Sequence, residues 1–409
     1  MKLVIVAPNV SENMSGEAIK VYMYLKYLAS TDVDVEAIVH ERSRSHLTGL
    51  PKSIKFHIIE DDFLQKFSWW SRILRPTIHL QFFVKIRSLI KQLHQEDPDT
   101  YFQYMVPVSP IQLRAPVASA KCILGPVTGN IFYPEAMRSI EPSGLRRLRF
   151  MRKVFDAIAR LFADKAQFTM ILNSGGERTH QSLMAGGAHA DRIRAVFDSG
   201  VSDQIISRPP AVMQGENYKF FCSGRFDHHK SLDLAIRAVA VADPRVTLDI
   251  YGQGAMEAEW RKLVEDLGLG HRVQFKGWLP SHDDLVEKMF DYRGFVFPSL
   301  AEANGIVVQE ALSVGVPVIC MNHGGPSMLT TSETAVQIEP GPTEEVVASI
   351  AAAMNKLGGD PDYAAQIANA GATSAREQFA WSAISRQWLT AMGAAGLAQA
   401  ASTASVDQG

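Results

Sequence analysis

Apolar runs of four to seven residues recur along the whole chain, each bounded by turn residues and separated by stretches of helical period. In the first half they predict strands near 2–7, 34–39, 54–59, 99–104, 121–125, 168–172 and 193–197. In the second half the runs fall near 218–223, 245–251, 271–275, 294–298, 316–320 and 335–338. Continuous apolar strands, rather than strands alternating apolar with polar, belong to parallel sheets covered on both faces. Strand–helix alternation from end to end makes the chain α/β, with a doubly wound sheet in each half. Ser207-Arg208-Pro209-Pro210, followed by Gln214-Gly215-Glu216, is the predicted linker. It places one domain at 1–205 and another at 206–378. Ligands then belong at the carboxyl ends of the strands, in a cleft between the halves. Residues 379–393 are amphipathic and carry Trp381 and Trp388, which predicts a helix, and the Ala-, Ser- and Gln-rich tail 394–409 predicts disorder.

Composition changes this picture little. With 409 residues, 46% hydrophobic and 21% charged, the chain is of globular type and long enough for two domains. A net charge of −2 provides no overall field for nucleic acid. Cys122, Cys222 and Cys320 each fall in or beside an apolar run without metal-ligand spacing, as buried thiols of a reducing compartment do. No apolar stretch reaches the roughly 18 residues that span a bilayer. The apolar start Leu3 to Ala7 is too short for a signal-peptide core. A cytoplasmic protein is expected.

The densest chemistry lies late in the chain. The run Gly294 to Pro298 opens into Ser299-Leu300-Ala301-Glu302-Ala303-Asn304-Gly305-Ile306-Val307-Val308-Gln309-Glu310, and the next apolar run follows Gly315. Two glutamates eight positions apart straddle a strand-to-helix turn, where backbone N–H groups lack intrahelical partners. At about 1.5 Å per helical residue both carboxylates can face one ligand over the helix start. Phosphate would meet the amides of Gly305, Ile306 and Val307, and the acids would take neighbouring hydroxyls, with Gly315 as the αL stop. A bare spacing of this kind is also common among solvated surface acids.

The flanks decide between the two readings. Pro298-Ser299, Glu302-Ala303-Asn304-Gly305 and Glu310-Ala311-Leu312-Ser313-Val314-Gly315-Val316-Pro317-Val318 resemble the signature of the family 4 retaining glycosyltransferases, which have the GT-B fold. That fold pairs two facing Rossmann-like domains across a cleft, the first holding the acceptor and the second the nucleotide sugar. The resemblance also implies a last helix that crosses back onto the first domain. Earlier in the second half, Gly224-Arg225 just past a strand and Lys230 a few residues on match the family's diphosphate contacts. A departing nucleoside diphosphate gains negative charge, and two cations with a helix N-terminus can stabilise it without a metal. Glu302, Arg225 and Lys230 are the expected catalytic residues. Asn304 joins the helix-start amides and Glu310 in donor binding.

Other motifs are looser. Tyr251-Gly252-Gln253-Gly254 imitates a dinucleotide fingerprint, but Glu257 stands at the third glycine position, and Lys276-Gly277 replaces an acid for ribose. The resemblance instead makes Gly252 and Gly254 turn glycines beside the donor, and lets Gly277 and Trp278 line the base pocket. Gly16, in Asn13-Met14-Ser15-Gly16-Glu17, matches the family's first-domain glycine loop, with Glu17 either a helix-dipole partner or a ligand. The Asp-x-Asp triplets at Asp32–Asp34, Asp97–Asp99 and Asp360–Asp362, like His228-His229, lack partner ligands nearby, so no metal and no cofactor is expected. Two departures stand out: Gly125 to Asn130 holds no histidine where many members have one, and Ala303 replaces the usual glycine.

The expected reaction moves a sugar from a nucleoside diphosphate, UDP or GDP, to a hydroxyl of a glycan or lipid-linked acceptor with retention, as in cell-surface polysaccharide synthesis. A GT-B epimerase or phosphorylase, or an inactive sugar-nucleotide-binding protein, shares much of this pattern. Two segments, 64–94 and 143–161, interleave Lys and Arg with aromatic residues almost without acids. They fit either an anionic membrane surface, peripheral on the inner face of the cell membrane, or helices with a solvated basic face and a core-facing apolar side. Nucleic acid is not expected, because no stacking module accompanies them.

Overall fold

The computed structural model describes residues 2–12, 16–71, 74–129, 131–279 and 281–393. The glycine-loop residues Asn13 to Ser15, Arg72, Asn130 and the tail 394–409 lie outside the described residues. Every predicted strand is present, with ends shifted by at most a few residues. The first unit contains β1 (Lys2–Val6), β2 (Asp34–His40), β3 (Lys55–Ile59), β4 (Tyr101–Tyr104), β5 (Lys121–Val127), β6 (Met170–Asn173) and β7 (Ile193–Ala195). They form one parallel sheet in the order β3-β2-β1-β4-β5-β6-β7. The second unit contains β8 (Lys219–Ser223), β9 (Thr247–Tyr251), β10 (Val273–Gly277), β11 (Gly294–Phe297), β12 (Val318–Met321) and β13 (Val336–Ile338). Its order is β10-β9-β8-β11-β12-β13, again all parallel. Both sheets are Rossmann-like and doubly wound.

The buried runs explain the parallel pairing. β11 and β12 are buried at every residue, so neither face of these strands can meet water. Phe221 of β8 stacks on Phe295 of β11 at 4.8 Å, and Phe297 follows at 5.5 Å, which fixes the central strands in register. The three cysteines sit buried on β5, β8 and β12, and burial pushes their thiols up, to about 11 at Cys122 and about 12 at Cys320.

The units do not divide where the linker was expected. Among the described residues, the first draws on 2–129, 149–199 and 381–393, and the second on 131–148 and 200–380. Segment 131–148 belongs to the second core because Tyr133 and Met137 are buried in it and Leu145 packs on it. Ser207 to Pro210 is packed within the second unit rather than spanning a boundary. The Arg208 carbonyl accepts from Arg376, and Ala211 N–H donates to Val314 O at 2.7 Å. The helix Trp381–Ala391 packs in the first unit, where Trp388 meets Tyr24 edge-on at 4.8 Å and donates its indole N–H to Phe197 O at 2.9 Å.

Candidate active site

In the second unit the sheet order reverses between β8 and β11, so the loops leaving these neighbours diverge and open a crevice at their carboxyl ends. Gly224 leaves β8 with φ +145°, and its N–H donates to Tyr251 O at 3.1 Å. A short 3-10 turn, His228–Lys230, then brings Lys230 back beside Gly224. From the other strand, Ser299 Oγ and Leu300 N–H both donate to His229 O, at 3.0 and 2.9 Å. One backbone carbonyl therefore ties the β11 loop to the β8 loop. That tie positions Glu302, whose carboxylate forms an ion pair with the Lys230 ammonium. Both side chains are mostly buried, at 16% and 18% exposure, and Lys230 Nζ lies 4.9 Å from the Phe297 ring centroid.

Beyond Glu302, Gly305 takes the αL conformation at φ +92° and caps the helix Ile306–Ser313. The first amides of that helix, at Ile306 and Val307, head it at the same strand end. Glu310 lies inside this helix and is buried. The helix stops as expected: Gly315 is αL at φ +68°, with Val316 N–H to Ala311 O at 2.9 Å and Gly315 N–H to Leu312 O at 3.0 Å. These two bonds form the Schellman pattern.

Gly252 and Gly254 are close-packing glycines between loops. A Cβ on Gly252 would stand 1.9 Å from Gly224 O, and one on Gly254 would stand 2.8 Å from Phe226 N. Gly252 N–H also donates to Gly277 O at 2.8 Å, so the loops after β8, β9 and β10 form one connected rim. Gly277 has φ +77° with open space at its Cβ position, and Trp278 beside it is more than half exposed rather than packed in the core.

The structure thus brings together Gly224, Lys230 and Glu302, and links Gly252, Gly254 and Gly277 through backbone contacts. Arg225 differs. Its side chain is 72% exposed, and the guanidinium pairs with Asp227 at 2.8 Å. Gly16 heads the helix Gly16–Leu28 of the first unit, exposed, with nothing within 4 Å of a Cβ. Burial lifts the neighbouring Glu17 carboxyl above its ordinary range, against the pull of Lys20.

Sequence reasoning missed several members of this site. His229 supplies the shared carbonyl, and its imidazole is held below its ordinary pKa by burial and then by the Lys230 charge. Gly325 N–H donates to Glu302 O at 2.8 Å, and a Cβ on Gly325 would meet Asn304 O at 2.4 Å. The signal for this turn was available in Asn322-His323-Gly324-Gly325-Pro326, which is turn chemistry directly after a strand. The acidic triplets serve the fold. Asp34 begins β2, Asp99 pairs with Lys121 at 2.6 Å, and Asp360 caps the helix Pro361–Gln378 by accepting from Tyr363 N–H. Among the described residues, His40, Glu41 and Asp61 group at metal-ligand distance. His40 Nδ1 already accepts from Arg42 and Nε2 faces Asp61 at 2.8 Å, so the ring serves as an internal hydrogen-bond bridge.

Residues 203–373 match the family model of the glycosyl transferases, group 1. That stretch contains the site residues of the second unit, from Gly224 to Gly325. Among curated proteins, residues of this chain are 30% identical over 161 positions to the GtfA subunit of the UDP-N-acetylglucosamine–peptide N-acetylglucosaminyltransferase of Streptococcus gordonii, covering 38% of this chain and 30% of that one. They are also 30% identical over 167 positions to the lipopolysaccharide core biosynthesis glycosyltransferase LpsE of Rhizobium meliloti, covering 41% and 47%. The chain thus spans less than half the length of these relatives. Among solved structures, HepE of Anabaena in complex with UDP aligns with TM-score 0.66 at 15% identity, over 96% of this chain and 100% of that one. The lipopolysaccharide outer core galactosyltransferase WaaB aligns with TM-score 0.67 at 15% identity, over 96% and 99%. The fold is that of the GT-B glycosyltransferases.

Proposed function

We propose that this protein is a retaining, metal-independent glycosyltransferase that moves a hexose from a nucleoside-diphosphate sugar to a hydroxyl of a glycan or lipid-linked acceptor. The observation that carries the reading is the Lys230–Glu302 pair beside Gly224, at the switch point of the second sheet and next to the helix that begins at Ile306. The family match over 203–373 supports it, as does the UDP bound by HepE, which makes a uridine donor the first to test.

In this reading the diphosphate lies over Gly224 and the amides of Ile306 and Val307. Lys230 meets it as a cation whose surroundings are largely dry, where charge stabilisation is stronger than in water. Arg225 joins by leaving Asp227, an exposed pair that costs at most about 1 kcal/mol to open. Glu302 takes hydroxyls of the transferred sugar and Glu310 those of the ribose. The bond from the anomeric carbon to the phosphate oxygen breaks as the bond to the acceptor oxygen forms on the same face. The acceptor proton passes to the departing phosphate, so no side-chain nucleophile is needed.

The test is release of nucleoside diphosphate from UDP-, GDP- and ADP-sugars, with the anomeric configuration of any glycoside product read by NMR. Release with an α-linked product from an α-linked donor is expected. An inverted product would overturn retention, and no turnover with any donor despite tight binding would leave a sugar-nucleotide-binding protein.

A further inference from the structure

Two helices of the first unit are inverted. An amphipathic helix on a globular protein turns its apolar face inward. In the helix Phe63–Trp70 the buried residues are Gln65 and Ser68, whereas Phe63 is 87% and Trp70 90% exposed, with Leu64 and Phe67 also outward. The polar pair is held inside by named partners. Gln65 Oε1 accepts from the Asp62 N–H at 3.2 Å and from Lys85 Nζ at 3.3 Å, and Ser68 shares hydrogen bonds with Leu64 O and Gln81. The first-unit part of the helix Ser143–Leu161 repeats the arrangement. Asp156 and Ala159 are buried, and Asp156 accepts from Ser182 Oγ at 2.9 Å and faces Arg152 at 3.4 Å. Its outward residues include Phe150 at 76% exposure, Val154, Ile158, Leu161 and, just beyond, Phe162 at 63%. The spacing 150, 154, 158, 161 keeps them on one side of the helix.

Exposed aromatic side chains in this number have a cost in water of about 25 cal/mol for each Å² left wet, and single scattered residues would need no explanation. A continuous outward stripe on a helix whose inward face is polar does. The charges beside it say what covers it. Lys153 and Arg160 flank the stripe and are exposed, Lys66 flanks the other helix, and no exposed acid lies among residues 143–163.

We infer that these two helices form a docking surface for an anionic lipid bilayer, the aromatic stripes entering the headgroup region and the cations meeting lipid phosphate. A second copy of the chain is disfavoured, because a self-complementary contact would set one basic face, with Lys153 and Arg160, against another. Soluble polyanions would meet the cations but leave the phenylalanines wet. Binding of this kind is reversible and weakens with salt. Among the described residues no helix is long and apolar enough to cross a membrane. The inference is independent of the donor site.

The experiment is cosedimentation of the full chain with vesicles of phosphatidylglycerol and phosphatidylethanolamine, set against phosphatidylcholine alone, at low and high salt. Binding to the anionic vesicles, lost at high salt and absent with neutral ones, is expected. Each cation near the surface contributes about fivefold, so Lys153→Glu with Arg160→Glu should lower partitioning by at least about 25-fold. Phe150→Ser with Phe162→Ser should weaken binding comparably while leaving the thermal melt unchanged, since both rings are exposed in the free protein. Absence of binding to anionic vesicles at low salt would overturn the inference. So would equal binding to neutral vesicles, or insensitivity to the phenylalanine changes. A concentration-dependent dimer in sedimentation velocity that Phe150→Ser abolishes would assign the face to a second copy instead.

Discussion

Replacing Lys230 with alanine should affect this protein in two separable ways. The ammonium pairs with Glu302 in surroundings that leave each side chain less than a fifth exposed, and it lies 4.9 Å from the Phe297 ring. Removing it leaves the Glu302 carboxylate largely buried without its cation. For fully buried pairs that costs about 3–5 kcal/mol, and partial exposure here reduces it to about 1–2 kcal/mol. A domain of this size then melts roughly 2–8 °C lower. The second effect is on the donor: a charged hydrogen bond to phosphate is worth about 1.5–3 kcal/mol, or roughly 10- to 150-fold in kcat/KM. The two effects separate in the double variant Lys230→Ala, Glu302→Gln. Neutralising the stranded acid should restore much of the melting temperature and none of the catalysis. Differential scanning calorimetry and nucleotide-release kinetics on the four proteins of this cycle supply the data. If Lys230→Ala keeps kcat/KM within threefold at subsaturating donor, Lys230 does not hold the diphosphate.

Three further outcomes follow from the same site. Glu310→Gln should chiefly weaken affinity for free nucleotide, whereas Glu302→Gln should spare it and lower kcat; equal loss of nucleotide affinity in both would refute the assigned roles. If Lys230 and the helix terminus take the role of a divalent ion, as proposed, turnover should persist in EDTA, and activity lost to chelation and restored by Mg²⁺ or Mn²⁺ would count against that proposal. Gly252→Ala would place a methyl 1.9 Å from Gly224 O at φ +142°, so it should destabilise the second unit by more than about 2 kcal/mol and reduce donor binding. Denaturant melts of this variant that match wild type would show that the β8 and β9 loops can separate freely.

The central strands were legible because β1, β5, β8, β11 and β12 are buried along nearly their whole length, and burial on both faces removes the ambiguity that alternating patterns leave; β3, β7 and β10 are only partly buried. The unit boundary was not. Tyr133 and Met137 lie in a short stretch, Ile131 to Ile140, without the period of a strand or an α-helix, and only the completed core shows which side they join. Within the site, Lys230, Glu302 and the Gly305 turn could be placed on strand ends from their own neighbourhoods. The contacts that unite them join loops distant in sequence. Leu300 reaches back 71 positions to His229 O, and Gly325 lies against Asn304, and no local pattern announces either. Exposure of Arg225 is likewise decided by Asp227 and the turn after it. The basic helices show the limit most directly: periodicity identified an apolar side and a polar side, but which of them faces the protein depended on partners such as Ser182 for Asp156 and Gln81 for Ser68.

The central claim is that the second sheet's switch point receives a nucleoside-diphosphate sugar. A thermal-shift panel of UDP-, GDP- and ADP-sugars on the wild-type protein tests it with the fewest assumptions. A donor present at 100 times its dissociation constant stabilises the fold by about 2.7 kcal/mol. One nucleotide class, uridine first, should therefore raise the melting temperature by several degrees, and Lys230→Ala, by weakening binding about 10-fold or more, should cut that rise to about half or less. No shift with any of the three nucleotide classes at millimolar concentration would contradict the account.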